Sequence, residues 1–399
     1  MTGPFSLPLG FRAAGIHCGI KSDLQKLDLS LFASDRPAAA AGVFTQNRVC
    51  GAPVVVSRER VPTETARAVL INSGNANACT GQQGLDDARA STSAVASLLG
   101  CRAEDVLVCS TGVIGRPLPM QKLSAGLPCV VEELAATDEA FGAAARGMMT
   151  TDTVSKQAMR RIEIDGTTVT FAAAAKGAAM IAPNMATMLA VVMTDAALSA
   201  EQASEILRSA VDRSFNRISI DGHTSTSDTV LLLANGAAGV PSTGRVAIDL
   251  VRVAVDEVCA ELAEGIVRDA EGATHFISVD VQGMPSEEDA VRVARTVADS
   301  PLVKTAIAGA DPNWGRIVSA AGYAGFSFEE RDLSLTINGT PVYRDGSPLN
   351  FEAAAVSKSI RDRRDTSLVL TFSLGDAAAR ILTSDLTAEY VRLNADYTT

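Results

Sequence analysis

The sequence predicts an α/β fold, with strands and helices mixed in α+β layers, and three observations lead there. Apolar runs of strand length alternate with amphipathic segments of helix length along the whole chain. Hydrophobic residues make up 47% of the 399 residues and charged residues 20%, an ordinary globular balance with ample material for a core. No internal repeat, low-complexity tract or Gly/Ser linker interrupts the alternation.

Taken in order, residues 54–57, 68–72 and 106–109 read as short buried strands, being brief and almost wholly apolar. Residues 85–99 and 139–149 carry helical spacing. Residues 161–165 and 167–171 flank Asp165–Gly166, a pair suited to the tight turn of a hairpin. Residues 188–194 form a continuous apolar run, expected as a strand buried on both faces. Helical periodicity returns over 201–212 and 246–264. Residues 276–281 and 368–372 alternate like strands, and 333–337 pairs with 342–344 around Asn338–Gly339. Strand order does not follow from these patterns.

Charge and cysteine usage exclude several classes. The net charge of −11 argues against nucleic-acid and anionic-membrane surfaces. Seven cysteines, at 18, 50, 79, 101, 109, 129 and 259, form no CxxC pair. Free thiols in a reducing cytoplasm are the expectation. The first fifteen residues lack the basic start and apolar core of a secretory signal. The most apolar region, 168–198, is broken by Lys176, Pro183, Asn184 and Thr187, well short of the roughly 18 residues a membrane span needs. No His/Cys/Asp cluster has metal-ligand spacing, so no metal is expected. No phosphate-cradling or dinucleotide fingerprint appears either.

That same apolar region carries the chemistry: Lys176-Gly-Ala-Ala-Met-Ile-Ala-Pro-Asn-Met-Ala-Thr187-Met-Leu. Buried lysine is costly unless paired and often marks function. Read alone, Lys176 would be a surface lysine laying its stem on apolar neighbours, and Thr187 a strand threonine. The segment resembles the processing site of the glutamate N-acetyltransferase family, also called the ornithine acetyltransferase or arginine-biosynthesis bifunctional family. Members carry a KG-x-GM-(I/L)-x-P-x-(M/L)-AT-M-L pattern and are cut between the Ala and the Thr. This chain departs from it at Ala179, where Gly is usual, and the added methyl is expected to tighten the loop. Further blocks resemble the family in order: residues 72–81, 109–115 and 149–152, then 221–229, 269–274, 300–305, 311–316 and 390–399. His223 and His275 stand where acidic or amide residues and lysine are more familiar, and are expected to alter substrate contacts.

The resemblance implies the self-processing, N-terminal-threonine-nucleophile fold of the ornithine acetyltransferase and DmpA type. It implies scission between Ala186 and Thr187, giving an α chain of residues 1–186 and a β chain of 187–399 that begins with the nucleophile Thr187. It assigns Thr111 (hydroxyl) and Gly112 (backbone N–H) to the oxyanion hole. Thr150, Lys176, Thr187, Glu271, Asn394 and Thr399 are assigned to the substrate. The reaction implied is acetyl transfer from N-acetylornithine to glutamate, with no cofactor and with paired protomers in an α2β2 assembly. A bifunctional version would also take acetyl from acetyl-CoA.

The chemistry suits the residues. A threonine hydroxyl is a weak nucleophile that needs a base, and scission places a new α-amine on the same residue, with a reference pKa of about 8. Lys176 matches a substrate carboxylate and Glu271 an ammonium; Lys176 could equally depress the pKa of the Thr187 amine. Pro183 and the small residues around it would allow a strained turn at the scissile bond. Trp314, within 311–316, reads either as a substrate wall or as a packed turn residue, and the 72–81 loop as scaffold for the oxyanion donors. Two other readings stay open: an aminopeptidase with an N-terminal nucleophile, and an uncut binder of N-acetyl amino acids.

Overall fold

The computed structural model describes residues 6–181, 188–240 and 244–396. These form two compact units. Among the described residues, the first contains the chain up to Asn216 together with Thr224–Ile266, and the second contains Arg217–His223 and residues 267–396.

The first unit is built on an eight-stranded sheet. Its elements run β1 (Phe11–Ile16), β2 (Leu29–Phe44), α1 (Ala52–Arg58), β3 (Thr63–Asn75), α2 (Gly81–Leu99), β4 (Val106–Val113), α3 (Met120–Glu132), α4 (Asp138–Met148), β5 (Lys156–Ile164) and β6 (Thr167–Lys176). Then follow β7 (Leu189–Thr194), α5 (Ala200–Arg213), β8 (Ile218–Ser219), which belongs to the second unit, β9 (Thr229–Ala234) and α6 (Arg245–Arg268). The strand order is β4-β3-β2-β9-β7-β6-β5, with β1 pairing beside β2.

Alternation along the strands explains why both faces are covered. In β3 and β4, Val69, Ile71, Leu107 and Cys109 point to a core shared with Phe141, Ala145 and Met148 of α4. Ala68, Leu70, Val106 and Val108 point to the opposite face, where α2 and α3 supply Val95, Leu123 and Leu127. A strand buried on both faces reads as an unbroken apolar run, which is why β4 and β7 were legible as such.

Residues 54–57, expected as a strand, lie instead in α1. Gly51 caps this helix, a proline occupies its first turn, and its apolar residues pack on α2 and β4. Ser57 Oγ donates to the Val108 carbonyl at 2.7 Å and accepts from its N–H at 2.8 Å, so a helix side chain completes the outer edge of β4. An apolar run of four residues carries too little periodicity to separate the two structures.

The second unit holds a seven-stranded sheet, β13-β12-β11-β14-β10-β15-β8. Its further elements are β10 (Phe276–Met284), α7 (Glu287–Ala298), α8 (Pro301–Ala308), α9 (Trp314–Gly322), β11 (Leu333–Ile337), β12 (Thr340–Arg344), β13 (Ser347–Pro348), α10 (Ala353–Arg361), β14 (Asp365–Phe372), β15 (Ala377–Ser384) and α11 (Ala388–Asp396). Leu333, Leu335 and Ile337 alternate inward, together with Val279, Leu368 and Leu370, against helical residues such as Val293, Ile317 and Ile360. The predicted turn at Asn338–Gly339 has φ of 47° and 81°, as a two-residue hairpin loop of this chemistry requires. Trp314 stacks on Tyr343 with ring centroids 5.3 Å apart and packs, partly buried, against this core.

Candidate active site

The first unit gathers the chemistry at the ends of β4 and β6. Thr111 and Gly112 close β4, and Lys176 closes β6. Lys176 is 2% exposed, and its Nζ donates to Thr111 Oγ1 at 3.3 Å. Residues 65 positions apart therefore meet in a dry environment, where each charge interaction is stronger than in water.

Gly112 has no substitute at its position. Its φ is 129°, and a Cβ placed there would lie 2.4 Å from the carbonyl carbon of Gly74. That close approach comes from the parallel pairing of β3 with β4, where Gly74 faces Gly112. The 72–81 loop is scaffold for this corner: Ser110 Oγ donates to Asn72 Oδ1 at 2.5 Å, and Asn77 Nδ2 to the Gly84 carbonyl at 2.9 Å.

Asp152 organises the surrounding charges. Its Oδ1 accepts from Lys156 Nζ at 2.6 Å and from the Gly177 N–H at 2.6 Å, while its Oδ2 accepts from the Thr150 N–H at 2.9 Å. Three chain segments, including the predicted substrate residue Thr150 and the residue after Lys176, thus converge on one carboxylate. Burial works to raise its pKa, but Lys176, Lys156 and the hydrogen bonds outweigh it and hold the carboxyl down at about 2. Lys21 joins the group by donating to the carbonyls of Met149 at 2.6 Å and Leu27 at 2.7 Å. Burial lowers its pKa to about 8; Asp28 opposes this shift, while Lys26 and Lys176 add to it.

Asp228 is fully buried at the start of β9. Its Oδ1 accepts from the Met188 N–H at 3.0 Å. Burial raises its pKa well above the carboxylate range, with the Met188 N–H and Lys176 offsetting only part of the shift.

Ala186, Thr187 and Thr399 lie outside the described residues. Just before them, Gly177 (φ 154°) and Met180 (φ 58°) are left-handed, whereas Ala179 is not. Alanine in place of glycine at 179 therefore costs no backbone strain, and the strain sits on Met180, a residue with a side chain.

Glu271 and Asn394 belong to the second unit, where Asn394 Nδ2 donates to Glu271 Oε2 at 3.0 Å. Residues Ala388–Asp396 form α11. Gly272 (φ 65°) allows this helix to lie directly on the 271–272 turn, since a Cβ there would meet the Tyr390 nitrogen at 2.5 Å. Tyr390 Oη donates to Asp221 Oδ2 at 3.1 Å. His275 is buried with Nδ1 2.8 Å from Asp385 and Nε2 3.2 Å from the Ile360 carbonyl, which makes it an internal bracket of this unit. His223 is exposed.

Asp152, Lys156, Lys21 and Asp228 were not singled out from the sequence. Asp228 carried a signal in hindsight: it directly precedes six buried residues of β9, a position where a carboxylate has to find partners.

A profile of the ArgJ family matches residues 12–399. The arginine biosynthesis bifunctional protein ArgJ of Rhodopirellula baltica is 46% identical over 98% of this chain and 96% of its own length. The protein of the same name from Geobacter sulfurreducens is 46% identical over 98% and 99%. Among solved structures, a chain of arginine biosynthesis bifunctional protein ArgJ from Bacillus halodurans is 33% identical with a TM-score of 0.50, covering 52% of this chain and 98% of its own. With a family profile matched from residue 12 to the last residue and relatives this similar along nearly the whole of both chains, this chain belongs to the ArgJ family.

Proposed function

We propose that this chain is an acyltransferase of arginine biosynthesis that moves acetyl from N-acetylornithine to glutamate through an ester on Thr187. The observation that carries this reading is the buried Lys176–Thr111 contact, which places a cation and a hydroxyl beside the Gly112 amide at the foot of the segment leading to Thr187.

The cycle has two halves. Thr187 Oγ1 attacks the acetyl carbonyl of N-acetylornithine while the α-amine of the same residue takes the hydroxyl proton. The C–N bond then breaks, and that proton passes to the departing ornithine amine. The α-amine of glutamate next attacks the ester carbonyl, Thr187 Oγ1 leaves and recovers its proton, and N-acetylglutamate departs. Each half passes through a tetrahedral oxyanion held by the Thr111 hydroxyl and the Gly112 N–H, with Lys176 adding positive charge beside Thr111. A preorganised donor of this kind is worth about 10²–10³ in rate. Thr150, Lys176, Glu271, Asn394 and Thr399 are the proposed substrate contacts.

Scission between Ala186 and Thr187 precedes the cycle. The Thr187 hydroxyl attacks the Ala186 carbonyl, and water opens the resulting ester. The left-handed Met180 upstream supports a strained approach to this bond, and the Bacillus halodurans chain, about half the length of this one, has the size expected of a cut half. The proposed products are the α chain, 1–186, and the β chain, 187–399, paired as α2β2 in the cytoplasm. No described helix is long and apolar enough to cross a membrane. The relatives are named bifunctional, which favours acetyl-CoA as a further acetyl donor and co-substrate, with no other cofactor.

Intact-mass measurement tests the core of this. The wild type is expected as two peptides near half size, with an acetyl group on the 187–399 peptide after incubation with N-acetylornithine. Thr187→Ala is expected as one full-length peptide with no adduct and no transfer; transfer retained by this variant refutes the nucleophile. Incubating glutamate with acetyl-CoA alone decides the second activity.

A further inference from the structure

Lys21 takes no part in the cycle above, yet its ammonium stands at the same corner of the first unit. Thr111 faces Ser73 in the β3–β4 ladder, and Ser73 Oγ donates to the Gly147 carbonyl in α4 at 2.6 Å. Two residues further on, the Met149 carbonyl accepts from Lys21 Nζ at 2.6 Å. The stem of Lys21 lies over Gly74, the ladder partner of Gly112: a Cβ on Gly74 would come 3.0 Å from Lys21 Cγ. The chain therefore brings this side chain alongside the Thr111–Gly112 end of β4.

The charge of Lys21 has no counterion. A lysine ammonium has three hydrogens to give; two go to the carbonyls of Met149 and Leu27, and no carboxylate among the described residues forms an ion pair with it. The carboxylates that act on it from a distance are already engaged. Asp28 accepts from the N–H groups of Cys18, Gly19 and Lys21 and lies 3.4 Å from His17 Nδ1, while Asp152 is paired with Lys156. The other charges that reach Lys21 are the cations Lys26 and Lys176. With a pKa of about 8 it is still cationic at pH 7. A half-buried cation beside a second cation is costly until an anion joins it.

The chemistry of the two substrates says which anion. N-acetylornithine and glutamate share an α-carboxylate, for which Lys176 is the proposed partner. Glutamate alone carries a second carboxylate, and Glu271, the proposed partner of an ammonium, would repel it. An enzyme that alternates between these two molecules needs a further cation for one of them only. We propose that Lys21 donates its third N–H to the side-chain carboxylate of glutamate and so selects the acetyl acceptor. The proposal rests on the acetyl-transfer reading above and deepens it. A charge-assisted hydrogen bond of this kind favours the acceptor that can make it and penalises one that leaves the ammonium unpaired.

Lys21→Met, which keeps the stem and removes the charge, tests this with glutamine as the competing acceptor, since glutamine has the shape of glutamate without its second charge. The variant is expected to gain the acetyl adduct from N-acetylornithine at a rate within about threefold of wild type. Its preference for glutamate over glutamine in kcat/KM is expected to fall about tenfold or more, through a raised KM for glutamate. Lys21→Arg, which keeps the charge, is expected to retain part of that preference. An unchanged preference in Lys21→Met overturns the proposal. So does an equal loss with both acceptors, which is what a purely structural role at the Met149 carbonyl would give. The wild type supplies a test that holds even where Lys21→Met fails to fold. Reductive methylation of Lys21, read by peptide mass, is expected to slow in the presence of N-acetylglutamate and not of N-acetylglutamine; equal labelling in the two overturns the proposal. A wild type that gains no acetyl group from N-acetylornithine fails the transfer reading instead, so the two failures are distinguishable.

Discussion

At the scale of single residues, the site is a problem in holding charge out of water. Asp152 answers it for Lys156 and for the backbone at 150 and 177, and its pKa, held at about 2 against an ordinary 3.8, measures the benefit. A depressed carboxyl contributes stability that is present in full above its unfolded pKa and is lost as pH falls through the folded one. For Asp152 the window runs from about pH 4 down to about 2, and the contribution at pH 7 is on the order of 2 kcal/mol. Asp152→Asn removes the anion facing two buried ammoniums and is expected to cost about 3 kcal/mol at pH 7, with a flatter loss of stability between pH 5 and 2. Urea unfolding at a series of pH values checks both; an unchanged acid limb refutes the assignment. Lys176 was legible in the sequence because a lysine amid alanines and valines has to be explained. Asp152 was not, because a carboxylate two residues after a threonine looks like any turn until the fold brings Lys156 and Gly177 to it.

At the scale of elements, turn chemistry was the most readable feature and short apolar runs the least. Asp165 and Gly166 both have positive φ, 49° and 77°, joining β5 to β6 in register from Ile164↔Thr167 to Lys156↔Ala175. Nothing lies within 4 Å of a Cβ built on Gly166, so a side chain there meets only the backbone penalty. Gly166→Val is therefore expected to cost about 1–2 kcal/mol and to lower the melting temperature by a few degrees. Transfer should persist, because Lys176 lies at the far end of the hairpin. A calorimetric scan paired with a transfer assay reads both, and lost activity at an unchanged melting temperature contradicts the expectation. The long β2 escaped the sequence for a specific reason. Asp35, Arg36 and Pro37 interrupt it and are exposed, while the strand pairs with β1 before the interruption and with β9 after it. Two half-strands with a proline between them have no single period. The helix α1 was misread for the opposite reason, since its apolar residues are all it shows.

At the scale of the molecule, strand order was beyond any local pattern because it depends on which distant segments meet, and that order carries a consequence for the proposed scission. β7 and β9 both follow position 187, whereas β2 and β6 precede it, yet the order runs β2-β9-β7-β6. β9 pairs with β2 from Ala39↔Ala234 to Phe44↔Thr229, and β7 pairs with β6 from Phe171↔Thr194 to Lys176↔Leu189. Every residue of β7 and β9 is buried. Pulling the later peptide away would thus expose two full strand edges and an apolar face together, leaving backbone groups that only the earlier peptide satisfies. The second unit, by contrast, lies wholly in the later peptide, and scission breaks none of its ladder. The cut chain is therefore expected to behave as one particle: the two peptides co-elute on size exclusion in native buffer, separate only in denaturant, and show a single cooperative unfolding of the first unit. The 187–399 peptide expressed alone is expected to aggregate through β7 and β9, and co-expression with 1–186 to rescue it. Separation of the cut peptides in native buffer would mean that the β2–β9 and β6–β7 ladders do not hold the first unit together.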